Sequence, residues 1–123
     1  MKHLLLLASF VILLTYKVSA QSKPIHIRLE DIAKHVGDSV SLCANISERE
    51  INHSTNTAIF YLGAKSPNDL LAVIIQDSNG RHLWFGYIEN TIIHVEGRIE
   101  RINGKLEMLV TEQNKIGLCS EIH

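Results

Sequence analysis

Apolar and polar residues alternate from Val40 to Ile46, where Val40, Leu42, Ala44 and Ile46 are separated by Ser41, Cys43 and Asn45. This is the two-residue period of a strand with one buried face. The pattern returns at Ile93-His94-Val95-Glu96-Gly97-Arg98-Ile99, with a glycine at the third inward position, and two such strands suit the first and fourth staves of a small closed barrel. Three further strands are expected. Ala58 to Leu62 (AIFYL) closes on Gly63 and on turn residues Ala64 to Asp69. Leu70 to Gln76 (LLAVIIQ) is apolar on both faces, as a central or covered strand is. Lys105 to Thr111 turns Leu106, Met108 and Val110 inward. The strand opening at Thr91 runs to Ile102, and the three-residue step from Ile99 to Ile102 predicts a bulge or coil near its end. Asn103-Gly104, between two alternating runs, calls for a type I′ hairpin.

The remaining segments carry weaker signals. Gln21 to Ile27 reads as a polar lead-in. Leu29, Ile32, Ala33 and Val36 fall at i, i+3, i+4 and i+7, one face of a short helix, and Gly37 stands where a left-handed cap is wanted. Ser47 to Asn56 (SEREINHSTN) is charged, has no period and is expected to be a loop. Asn45-Ile46-Ser47 and Asn52-His53-Ser54 match the N-glycosylation pattern, which matters only in a host that glycosylates such sites. Arg81 to Glu89 (RHLWFGYIE) leaves helix, strand and loop open; its Trp84, Phe85 and Tyr87 read as packing that plugs the barrel end, with a ligand platform as the competing reading.

Composition changes the picture at the N-terminus. Lys2 and His3 begin a charged stretch, Leu4 to Leu14 is nearly unbroken apolar sequence, and Val18-Ser19-Ala20 offers small residues for cleavage. Residues 1–20 therefore read as a secretory signal peptide. A membrane anchor would need about 20 apolar residues, and Thr15, Tyr16 and Lys17 interrupt this run. The expectation is one exported domain over residues 21–123, periplasmic or secreted, with no membrane span after cleavage. Without Lys2 and Lys17, the twelve basic residues fall to ten against thirteen acidic ones, a net charge near −3. That balance disfavours non-specific duplex binding, which depends on neutralising many phosphates. Cys43 and Cys119 are the two cysteines. In an oxidising compartment they are either bridged or two separate thiols, and the sequence leaves both readings open.

Five strands, a glycine at the centre of the fourth, room for a short helix before it and a tight hairpin after it match the OB-fold, a partly open Greek-key barrel. The run VEGRIERINGKLEMLVTE resembles the strand-four to strand-five hairpin of anticodon-binding-type OB-folds. Together IRLEDIAKHVGDSVSLCANI, IFYLGAKSPN and VEGRIERINGKLEMLVTEQNKI, spanning about Ile27 to Ile116, resemble small exported bacterial OB-fold modules. The resemblance implies an all-β, five-stranded barrel with a short N-terminal helix, and a family that is nucleic-acid-binding-like by fold without a named ligand. Such modules often carry a cysteine on the fourth strand beside the one on the first. Here His94 stands there and Cys119 lies near the C-terminus, so any disulfide would be rerouted.

OB-folds usually bind on the face of strands two and three and between the bordering loops. With Phe60 and Leu62 inward, Ile59 and Tyr61 face out beside Ala72 and Ile74, with Lys65 and Arg81 on bordering loops. Tyr61 is the candidate stacking residue, worth about 1–3 kcal/mol per stacked base, and the competing reading is a surface tyrosine with no ligand. Asn45, His94, Glu96, Arg98 and Glu100 on the outer face of strands one and four read as a solvated ion-pair ladder. The histidines at 26, 35, 53, 82, 94 and 123 form no H-x-H or H-x-x-x-H pair, so neither metal nor cofactor is expected. No nucleophile motif, Gly-rich phosphate loop or paired-carboxylate signature occurs, which argues against an enzyme. The expected function is an exported, non-catalytic OB-fold module binding an oligomeric ligand or a protein, with at most weak affinity for single-stranded nucleic acid. Two alternatives stand beside it: a protein-interaction or structural subunit whose apolar third strand is covered by a partner, and a small hydrolase with a site assembled from loops.

Overall fold

A computed structural model of the chain describes residues 23–76 and 86–119. The expected signal peptide, Arg81, Trp84 and Phe85 lie outside the described residues. Among the described residues there are seven strands: β1 (Ile25–His26), β2 (Ser39–Asn52), β3 (Thr57–Leu62), β4 (Leu71–Ile75), β5 (Ile92–Ile102), β6 (Lys105–Val110) and β7 (Ile116–Leu118). Five of them close a ring, in which β2 pairs with β3, β3 with β4, β4 in parallel with β6, β6 with β5, and β5 back with β2. The ring is the five-stranded barrel of an OB-fold. The other two strands lie beside it, β1 parallel to β2 and β7 antiparallel to β5.

The inward residues are those the alternation selects. Val40, Leu42, Ile46, Ala58, Phe60, Leu62, Ile93, Val95, Ile99 and Met108 are fully buried. Burial of about 25 cal/mol per Å² of apolar area makes this shared interior the main source of stability. Gly97 is required by contact: a Cβ there would lie 2.7 Å from Met108 Cγ. At the β5–β6 hairpin Asn103 and Gly104 both take positive φ, 51° and 81°, as a type I′ turn demands.

Several expectations are corrected. Ser47 to Asn52 is strand, not loop: β2 runs on to Asn52 and pairs with β3, with a register shift between Ile46 and Glu48. Only residues 53–56 form the turn, where the Asn52 side-chain oxygen accepts from the backbone N–H groups of Ser54 and Thr55 and from the Ser54 hydroxyl. The bulge expected near Ile102 is absent, because Ile99, Glu100, Arg101 and Ile102 pair in unbroken register with Met108, Glu107, Leu106 and Lys105. Ile102 simply lies on the outer face, 45% exposed. The N-terminal helix is a 3-10 helix, Leu29–His35, with three residues per turn. Leu29, Ile32 and His35 therefore share its inner face, while Ala33 and Val36 turn outward and only Ile32 is buried. Gly37 follows with φ +91°, the left-handed conformation expected of it. The lead-in and the tail each contribute a short strand that their composition does not announce.

Cys43 and Cys119 are joined, with Cα atoms 5.8 Å apart. His94 is the register partner of Cys43 on β5, and β7 on the far side of β5 brings Cys119 within reach, its N–H donating to the Ile92 carbonyl. Among the described residues no helix is long and apolar enough to cross a membrane.

Candidate binding face on β3, β4 and β6

The bulge after Ile46 reverses the phase of β2. Before it the even-numbered residues point into the barrel; after it Arg49 and Ile51 are the inner pair, and Glu48 and Glu50 join the outer face. Arg49 spends its charge inward, donating to the Tyr87 carbonyl at 3.1 Å, while the Tyr87 ring meets Phe60 edge-on with centroids 6.2 Å apart. Tyr87 thus belongs to the packing of the barrel end.

Registers across the sheet set the outer residues in rows. Glu50, Ile59, Ile74 and Leu109 stand side by side across β2, β3, β4 and β6. The next row is Glu48, Tyr61, Ala72, Glu107 and Glu100. Ile59, Tyr61 and Ile74 are half-buried, and Leu109 is 57% exposed. One row is thus apolar through its middle and the other carries three carboxylates. Like charges opposite one another on a sheet repel, so the Glu100–Glu107 pair costs stability where it stands.

A groove of about 200 Å³ lies over these rows, walled by Tyr61, Ser66, Asp69, Ile74, Lys105 and Glu107 among others. The Tyr61 hydroxyl donates to Glu50 at 2.9 Å. Burial, then the hydrogen bond and charge of Glu50, push its phenol up to about 12. Glu48 accepts from the Ser66 backbone N–H at 2.9 Å, which ties the 63–70 loop to the face. The Asp69 side chain is only 2% exposed, with Lys105 Nζ 3.3 Å from its Oδ1. Lys105 also donates to the Pro67 carbonyl.

A second, larger depression of about 380 Å³ continues from Ile74 and Glu107 to Leu109, Arg98, Glu100 and Ile102. The outer face from β2 to β5 is therefore one surface. Among the described residues its acidic groups (Glu48, Glu50, Asp69, Glu100, Glu107) outnumber the cations set among them, Lys105 and Arg98.

The sequence-derived candidates divide. Tyr61, Ile59 and Ile74 are brought together at the groove; Lys65 is exposed in the 63–70 loop and is not part of the groove wall; Arg81 lies outside the described residues. The ladder expected on strands one and four is split: Arg98 pairs with Glu100 at 3.5 Å, whereas Glu96 pairs with Lys115 at 2.8 Å. Leu109, Glu107 and Lys105 were readable as the outward complement of Leu106, Met108 and Val110. Glu48 and Glu50 were hidden by the bulge, and Asp69 by its place in a turn.

Ring and registers are those of an OB-fold. No known protein family and no curated protein matches the sequence. Solved structures do match in shape. A putative aspartyl-tRNA synthetase from Leishmania major is 14% identical with a TM-score of 0.58, over 91% of this chain and 26% of the synthetase. The asparaginyl-tRNA synthetase of Entamoeba histolytica is 17% identical with a TM-score of 0.60, over 84% of this chain and 25% of its own. An OBody, AM1L10, bound to hen egg-white lysozyme is 12% identical with a TM-score of 0.57, over 84% of this chain and all of the OBody. The chain thus spans about a quarter of either synthetase. At these identities the likeness is one of fold.

Proposed function

We propose that the protein is an exported, non-catalytic OB-fold module that binds a protein partner on the outer face of β3, β4 and β6. The observation that carries this reading is the row Ile59–Ile74–Leu109 set beside the carboxylate row. Apolar side chains in a row, half-buried at Ile59 and Ile74 and exposed at Leu109, with charged residues at the rim, suit a protein contact. The same carboxylates repel phosphates, so single-stranded nucleic acid is bound weakly if at all. An OB-fold of this shape in complex with lysozyme is a precedent for protein binding by such a barrel. The disulfide is compatible with an oxidising compartment and in that respect agrees with export.

The experiment compares peptide, glycan and single-stranded oligonucleotide arrays probed with the same protein at low and high salt. Binding to peptides that survives high salt and is lost in Ile74→Asp and Leu109→Asp supports the reading. Saturable oligonucleotide binding that weakens steeply with salt and ignores both substitutions overturns it.

A further inference from the structure

Asp69 is an unusual wall for a groove. Its side chain is 2% exposed, and its Oδ1 is shielded from solvent and has no hydrogen-bond donor among the described residues. Lys105 supplies the balancing charge from 3.3 Å but directs a donor to the Pro67 carbonyl. An ammonium in this position neutralises the carboxylate without completing its hydrogen bonding, and a buried acceptor left incomplete costs about 1–3 kcal/mol.

We propose that this groove receives an arginine side chain of the protein partner, whose guanidinium takes the place that Lys105 holds against Asp69. The proposal rests on the reading of this face as a protein-binding seat and names what the seat selects. A guanidinium is planar, carries five donors in a fixed fork and matches carboxylates two bonds at a time, which an ammonium does not. Glu107 supplies a second carboxylate in the same groove, and among the described residues no hydrogen bond or ion pair engages it. The Tyr61 hydroxyl is already given to Glu50, so the ring is what this residue offers, a surface on which guanidinium groups stack. Glu48 and Glu50 deepen the negative field. Lys105 can leave: its side chain is 43% exposed, and it stands at the mouth of the hairpin, where water takes the ammonium. The neighbouring Ile59–Ile74–Leu109 row then accepts an apolar residue beside the arginine.

The test is an NMR titration of the purified, oxidised protein with three capped tripeptides, Val-Arg-Val, Val-Lys-Val and Val-citrulline-Val, the last being nearly isosteric with the first and uncharged. The arginine peptide is expected to shift the amides of Tyr61, Asp69 and Glu107 and to bind about fivefold tighter than the lysine peptide, with no saturation by citrulline. Glu107→Gln should weaken arginine binding about fivefold, and Lys105→Met should strengthen it by a similar factor by removing the resident cation. Thermal melts of both variants establish that they are folded. Equal binding of arginine and citrulline peptides on this face would overturn the arginine seat and leave the apolar protein-binding face standing. Shifts confined to another part of the barrel, or none at about 10 mM peptide, would overturn both.

Discussion

Tyr61 shows how one side chain reports on this face. Its phenol is pushed up to about 12 from an ordinary value of 10.0, first by burial and then by Glu50. The native state therefore holds the proton more firmly than the unfolded chain, and the linked stability is present below pH 10 and lost as pH rises toward 12. A tyrosinate absorbance titration should show one step near pH 12 that disappears in Tyr61→Phe. That variant should lose about 1 kcal/mol at neutral pH with the hydrogen bond to Glu50. Gly97 makes a different point, because its constraint is space. A valine there would press on Met108, itself fully buried, and should destabilise by about 1–3 kcal/mol in denaturant unfolding. In a Met108→Ala background the added loss from Gly97→Ala should shrink, since the colliding atoms are gone.

Among the elements, β2 is the one that was half legible. Its first seven residues alternate cleanly and are buried as the alternation demands. Its second half reads as loop because Glu48, Arg49 and Glu50 are charged in succession and the bulge breaks the period, so no single phase fits both halves. The same extra residue sets Glu48 and Glu50 beside Tyr61. Deleting Ser47 should therefore do more than shorten a strand. It would turn the two glutamates inward and Ile51 outward, and an unpaired carboxylate in a dry interior costs several kcal/mol. Loss of a cooperative thermal transition is the expected result. Elsewhere legibility followed contact range. The hairpin at Asn103-Gly104 is specified by two adjacent residues and was readable, whereas β1 and β7 exist only because β2 and β5 offer edges to them. The 3-10 winding at Leu29–His35 was missed for a related reason: Leu29 and Ile32 fit both three and 3.6 residues per turn. On the candidate face, Ile59 and Tyr61 followed from strand alternation alone, but the rows that carry them on to Leu109 and Glu107 depend on the parallel contact between β4 and β6, which no local pattern encodes.

For the molecule as a whole, the barrel is closed by backbone pairing and then tied by Cys43–Cys119, which stand 76 positions apart in the chain. A cross-link over so long a loop restricts the unfolded chain, and its removal should cost about 2–4 kcal/mol. Urea unfolding with and without reductant, checked against Cys43→Ala/Cys119→Ala, measures this directly. The bridge joins β2 to the tail after β7, away from Tyr61 and Asp69, so peptide-induced shifts on the candidate face should survive its loss under native conditions. It has one more effect. Residues 43 to 119 form a covalent ring that contains both the 53–56 turn and the 63–70 loop bordering the groove. A protease that cuts once in either place opens the ring without releasing a fragment. The nicked protein should run as a single band on a gel until thiol is added, and then as two.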